Sequence, residues 1–213
     1  MNRTRYSMLG SILVASLALA SPALAGPPLL CFPFDTGGAK TLPMKAGGWN
    51  AVDTKYDVSH LADDTIALLT PATHVVARME TIRRATVYAS THPQAASQLL
   101  ARLQARATID GATASSAVFD FGYLVATYKQ ATFIFSQPVK GLDGIDGYQL
   151  VLKAAALQND PAMEFAAAVI TQGWTALSAE HRDHLQHAIA GAKSDAALNA
   201  SVTKHFRETG ELR

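Results

Sequence analysis

From about residue 55 to its C-terminus the chain is cut into blocks of a dozen or so residues whose apolar side chains recur every three or four positions. That spacing gathers the apolar groups of each block on one side of an α-helix. Val75, Val76, Met79, Ile82, Arg83 and Val87 share one such face, and Ala96, Leu99, Leu100, Leu103 and Ala107 share another. Phe165, Ala166 and Val169 mark a third. A helix with an apolar stripe has to bury it against another element, so a run of such helices predicts a mainly α fold. The expectation is an irregular antiparallel helical bundle or a short, solenoid-like array of helical hairpins over residues 55–213.

The cuts between blocks fall at capping residues and prolines. Thr91-His92-Pro93 and Asn159-Asp160-Pro161 read as helix restarts, with a polar residue ahead of a proline in the first helical position. Thr70-Pro71 reads the same way, ending a first segment that holds Tyr56, His60, Ile66 and Leu69. Residues 112–135 carry two patterns at once. Phe119, Phe121 and Tyr123 alternate as in a strand, while Val118, Phe121, Val125 and Tyr128 fit a helix, and the length of the segment favours the helix. Residues 138–147, with Gly141, Gly144 and Gly147, form a loop. Helices are expected again over 148–157, 162–171, 178–192 and 194–207. The restarts at 159 and 194 lie 35 positions apart, a period suited to stacked helix pairs. The Trp, Leu-Gly and Tyr signature of tetratricopeptide repeats is missing, and an irregular bundle explains the same pattern.

Residues 26–54 differ from everything after them. Pro27, Pro28, Pro33, Pro43 and the pairs Gly37-Gly38 and Gly47-Gly48 break any helical period, so the segment is expected to be extended or turned. Leu29, Leu30, Phe32, Phe34, Leu42, Met44 and Trp49 are costly to leave in water. The two facts together predict an extended N-terminal strap lying against the helical body.

The first 25 residues read as an export signal. Arg3 and Arg5 form a positive start, residues 9–20 a short apolar run, and Ala23-Leu24-Ala25 a small-residue cleavage site ahead of Gly26. The expected location is periplasmic or secreted, with no stable membrane insertion after cleavage. Loss of Arg3 and Arg5 leaves 16 Lys and Arg against 17 Asp and Glu, scattered along the chain, which argues against a nucleic-acid partner. Cys31 is the only cysteine, so no intramolecular disulfide can form. Leu30 directly before it departs from the small residue that a lipoprotein signal places there.

The densest polar cluster is Glu180-His181-Arg182-Asp183-His184-Leu185-Gln186-His187. On one helix Glu180, His181, His184 and His187 lie along neighbouring edges and are the candidate ligands of a divalent metal, the one cofactor this chain suggests. Glu180 and Asp183 also suit a solvated first turn through the helix dipole. Cys31 is the candidate reactive thiol, provided that His60 or His74 folds against it; among apolar neighbours it is otherwise an inert filler. His181-Arg182-Asp183 and Asp120-Phe121-Gly122 match protein-kinase strings in the wrong order, without the Gly-rich loop and lysine strand that give them meaning. Gly37-Gly38-Ala39-Lys40 lacks phosphate-loop spacing, and Asp143 with Asp146 lacks the twelve-residue calcium pattern.

With no catalytic motif in place, the expected function is that of a non-catalytic module that binds a protein or peptide or serves assembly. The alternative is a metal-binding protein or hydrolase built on His181, His184 and His187. The export reading has a direct check. Intact mass of protein recovered from periplasm or medium is expected to correspond to a chain starting at Gly26, and a lipid-modified species starting at Cys31 would overturn it.

Overall fold

The computed structural model of the chain describes residues 26–108 and 114–212, so the leader expected over 1–25 lies outside the described residues. The described chain forms α1 (Pro28–Cys31), α2 (Leu61–Leu68), α3 (Val75–Ala89), α4 (Pro93–Ala107), α5 (Ala114–Gln130), α6 (Gly147–Gln158), α7 (Pro161–Thr171), α8 (Ser178–Ala192) and α9 (Ala196–Glu208). Single 3₁₀ turns occur at Val58–His60, Ala131–Phe133 and Thr175–Leu177. The sheet-like pairing among the described residues is one antiparallel bridge between Met44 and Val52. No described helix is long and apolar enough to cross a membrane.

Local chemistry sets most of the boundaries. Asp160 caps α7 by accepting from the Ala162 N–H at 2.8 Å, and Pro161 fills the first helical position. Asn159, at φ 49°, closes α6 in the left-handed conformation that Asn tolerates better than most residues. Asp146 and Asp195 cap α6 and α9 in the same way. The segment 112–135 is helical over its described part to Gln130. Thr70-Pro71 departs from expectation and starts no helix. The Thr73 hydroxyl accepts from the Thr70 N–H at 3.1 Å and donates to the Leu68 carbonyl at 2.7 Å, so local side-chain bonds close a turn. The helix begins at Val75, with His74 as its cap.

Two helices lie at the centre. α3 is buried along nearly its whole circumference, and α7 is buried from Ala162 to Thr171 except at Glu164. α3 touches α1, α2, α4, α5, α7 and α9. Contacts between elements so far apart in sequence make this a bundle and not a linear array, in which each repeat meets only its neighbours. Ala162, Ala166, Ala167 and Ala168 keep α7 slim between α6 and α8. α5 and α6 cross closer still. A Cβ on Gly147 would stand 2.5 Å from the Gly122 carbonyl oxygen, and one on Gly122 would stand 2.6 Å from Leu150 Cβ, so neither glycine has room for a side chain.

The single buried face expected for α3, Arg83 included, is an underestimate, because Arg78 and Glu80 are buried too. Arg78 Nη1 grips both carboxylate oxygens of Asp120 on α5, at 3.0 and 2.8 Å. Glu80 receives Arg83 through Nε and Nη2 at 2.7 and 2.8 Å, and Arg84 through Nε at 2.6 Å. Burial pushes the Glu80 carboxyl up, but the two guanidinium groups outweigh it and hold it below the usual carboxylate range.

The strap is fastened to these same side chains. Arg83 Nη1 donates to the carbonyls of Leu30 and Trp49 at 3.1 and 2.8 Å, and Arg84 Nη1 donates to that of Leu42 at 2.6 Å. The Phe34 N–H donates to Glu80 at 3.0 Å, and the Leu29 N–H to Gln130 Oε1 at 3.1 Å. From α9, Ser201 and Lys204 donate to the carbonyls of Asp35 and Pro33. Leu29, Leu30, Phe34 and Leu42 are buried, whereas Phe32 and Trp49 are half-buried. One detail differs from the extended segment expected: Pro28–Cys31 makes a single helical turn, begun by proline and closed by Leu30 and Cys31 N–H bonds to the Pro27 carbonyl.

Removing one member of a buried ionic cluster leaves the others desolvated and unpaired. Glu80→Ala is therefore expected to cost roughly 3 to 5 kcal/mol in denaturant unfolding and to expose residues 35–50 to limited proteolysis before the helices. Loss of stability without faster cleavage of the strap would mean that the cluster does not hold it. In α4, Leu100 is 4% exposed, and Leu100→Ala is expected to cost roughly 2 to 5 kcal/mol by the same measurement.

Candidate binding groove

The surface where the strap meets the C-terminal end of α3 carries three linked hollows. The first, about 400 Å³, is walled by Trp49, Tyr56 and Tyr88, with Asn50, Asp53 and His92 among its polar groups. The second, about 300 Å³, shares Val58 and His92 with the first and adds Ser59, Gln94, Ala95 and Gln98. The third, about 420 Å³, shares Gln94 and Gln98 with the second and runs on past Ser97 and Gln137 to Lys140. The three lie in a row, from the strap along α4 to the loop after α5, each sharing lining residues with the next.

Its aromatic end is held firmly. The Tyr88 hydroxyl donates to the Pro43 carbonyl at 2.7 Å and accepts from the Asp53 N–H at 2.9 Å, so it ties both sides of the strap hairpin to α3. The Tyr56 hydroxyl donates to Asp64 at 2.8 Å, and its ring lies 4.7 Å from that of Tyr88. Trp49, anchored through its carbonyl by Arg83, packs 6.5 Å from Phe133, which is 58% exposed. His92 donates from Nδ1 to the Tyr88 carbonyl at 2.9 Å, which in the neutral ring leaves Nε2 as the acceptor. No hydrogen bond to another described residue engages the side-chain amides of Asn50, Gln94, Gln98 or Gln137, all exposed.

The histidine cluster expected on α8 is dispersed over different partners. His181 donates from Nδ1 to the Ala168 carbonyl at 2.9 Å and from Nε2 to Glu211 at 2.9 Å. The Glu211 hydrogen bond, outweighing burial, raises its pKa. His184 donates from Nδ1 to Glu164 at 2.6 Å and receives the Tyr148 hydroxyl on Nε2 at 2.8 Å, which occupies both ring nitrogens. His187 has a 70% exposed side chain, 3.9 Å from the same Glu164. Glu180 is exposed, and its charge is felt at Tyr148, where burial first and Glu180 second push the hydroxyl pKa up. Among the described residues no group of three or more His, Cys, Asp and Glu is placed to hold a metal ion.

Cys31 is half-buried at the end of α1, and burial pushes its thiol up against a weaker opposing pull from Arg83. The histidines that would have to activate it are engaged elsewhere, His74 with Asp195 at 2.7 Å and His60 beside Asp57 at 3.7 Å. Asp146 is spent as the α6 cap. Phe119, Phe121, Tyr123 and Tyr128 are core residues, and Phe133 alone of that aromatic run stands largely exposed.

His205, on α9, drew no notice from sequence. It is stacked on Phe34 at 5.5 Å, with Phe165 and Phe206 edge-on, and donates from Nε2 to Gln172 Oε1 at 2.9 Å. Gln172 passes the chain on to Thr209 and Glu211, and Glu211 to His181, so one hydrogen-bonded line runs from core to surface. Nδ1 of His205 is buried without a partner.

No protein-family model matches the chain, no curated protein matches it, and no solved structure matches it.

Burial lowers the His205 pKa from 6.5 to about 3, so the folded protein refuses a proton that the unfolded chain takes up. Its contribution to stability is whole above pH 6.5 and is lost as the pH falls toward 3. His181 acts in the opposite sense, its contribution being whole below 6.5 and lost as the pH rises through its raised value. Denaturant unfolding from acid to neutral pH is expected to show a steeper acid limb for the native protein than for His205→Gln, by up to one proton. Parallel limbs would place a charged or solvated imidazole at this position.

Proposed function

We propose that this is an exported, non-catalytic binding protein that takes up an extended ligand along the groove from Trp49 to Lys140. The observation that carries the reading is the row of unbonded amides and the acceptor Nε2 of His92, continuous with an aromatic wall whose own hydroxyls are already spent. Hydrogen-bonding groups that the fold leaves to solvent are free to serve recognition, at the cost of ordering each amide side chain. The histidines of α8 support a structural role, because His181 and His184 each use both nitrogens to join α8 to other elements.

Immobilised protein offered a displayed library of random peptides and a panel of soluble polysaccharides is expected to retain members of one class. Gln98→Glu, which sets a charge where the second and third hollows meet and breaks no hydrogen bond of the fold, is expected to abolish that retention while leaving unfolding unchanged. Retention of neither class, or retention indifferent to the substitution, would overturn the binding reading.

A further inference from the structure

We infer that the joint where α8, α7 and residues 209–212 meet is a one-proton latch, closed while the His181 ring carries protons on both nitrogens and open once it is neutral. The latch shares no residue with the lining of the groove and does not rest on the binding reading.

The hydrogen bonds around the ring have fixed directions. Glu211 uses both carboxylate oxygens there, Oε1 accepting from Gln172 Nε2 at 2.8 Å and Oε2 lying 2.9 Å from His181 Nε2. The Gln172 amide is held in this sense, because turning it over would set its own oxygen against the Glu211 carboxylate. On the far side of the ring, Nδ1 lies 2.9 Å from the Ala168 carbonyl. The Thr171 hydroxyl, 3.3 Å from Nδ1, already donates to the carbonyls of Ala167 and Ala168. A neutral imidazole has one N–H and one lone pair, so it serves one of the two acceptors and opposes the other; the imidazolium serves both.

His74 and His184, the other described histidines with both ring nitrogens engaged, have no such need. His184 donates to Glu164 and accepts the Tyr148 hydroxyl, while His74 donates to Asp195 and accepts the Val76 N–H, so each is complete as a neutral ring.

The charges around His181 are few. The C-terminal segment presents Glu211, whose hydrogen bond raises the His181 pKa against the pull of burial and of Arg182 on α8. From α9 comes His205, kept neutral by burial, and Lys204 beside it is drawn away to the Pro33 carbonyl. From α7 come Thr171 and Gln172, both uncharged, and Glu164, which His184 takes.

Little else secures the joint. The buried residues of α8, Ala188 and Ala192, both lie in its second half. When His181 loses its second proton, a lone pair faces either Glu211 or the Ala168 carbonyl, and a buried acceptor left without its donor is costly. The first half of α8 and residues 209–212 part there. Water then reaches Phe206, whose ring lies 6.1 Å from that of His181, and the unpartnered Nδ1 of His205.

Two measurements on the full protein test the latch. Nitrogen NMR of the isotopically labelled imidazoles is expected to show His181 with protons on both nitrogens until the pH passes above the ordinary 6.5, and to show the loss of just one. Amide exchange, corrected for its intrinsic pH dependence, is expected to quicken over residues 178–184 and 209–212 by about tenfold per pH unit above 6.5, the slope of a single proton, until it levels off. Glu211→Gln keeps an oxygen for Gln172 and sets an amide donor against Nε2, so that a neutral ring with its one proton on Nδ1 satisfies every contact. That variant is expected to stay closed where the native protein opens. A singly protonated His181 below pH 6.5, exchange in the two segments that ignores pH, or a Glu211→Gln variant that opens as the native protein does would each overturn the latch.

Discussion

The Glu80 carboxylate, enclosed by the guanidinium groups of Arg83 and Arg84, is the contact on which the arrangement of this protein depends. An extended segment rich in proline and glycine cannot satisfy its own backbone, and a strap pressed on a helical body is cut off from water on its inner side. The buried charges of α3 answer that need. Arg83 and Arg84 still have nitrogens to spare after binding Glu80, and they give them to the carbonyls of Leu30, Trp49 and Leu42. Glu80 itself accepts from the Phe34 N–H. A hydrophobic helix of the same shape would bury as much surface but would leave those strap groups without partners. The cluster thus fixes where the strap lies, a matter of specificity more than of stability.

The groove inherits its rigidity from that cluster. Trp49 stands in place because Arg83 holds its carbonyl, and the hairpin around Gly47-Gly48 is pinned at both sides by the Tyr88 hydroxyl. Arg83 and Tyr88 are both on α3, five residues apart, so one buried helix both secures the strap and sets the aromatic wall of the groove. Damage to the cluster would reach the surface through the position of Trp49, with no residue of the groove itself changed.

The helical body was legible because periodicity, prolines and caps are local signals. Asp160-Pro161, His92-Pro93 and the stripe of Leu99, Leu100 and Leu103 mean in the structure what they mean in sequence. The leucines and phenylalanines of the strap also announced their burial. The buried ions did not, because Arg78 and Glu80 look like a solvated face until the segments that cover them are placed. Arg78 finds Asp120 42 positions away and Arg83 finds Leu30 53 positions away, while Glu80 pairs with its near neighbours Arg83 and Arg84. The one visible hint was Arg83 falling in register with an apolar stripe. The groove was hidden for a related reason: Trp49, His92, Gln98 and Gln137 belong to four separate segments, and an exposed glutamine carries no signal until its neighbours are known.

A polar side chain is informative according to whether its hydrogen-bonding capacity is already used. The histidines of α8 drew attention as a sequence cluster, yet His181 and His184 have no nitrogen left for a ligand, and the Tyr148 hydroxyl beside them is pushed toward staying protonated. They join α8 to α7 and to the C-terminal segment, which matters because α8 buries little else than Ala188 and Ala192. The glutamines of α4 stand at the opposite extreme, exposed, uncharged and unbonded on a helix whose other face is fixed in the core by Leu99, Leu100 and Leu103. Recognition needs groups that are open and held still at once. On the groove side of α4 the helix is held and its amides are open, whereas on α8 His181 and His184 are held but already bonded and His187 stands exposed.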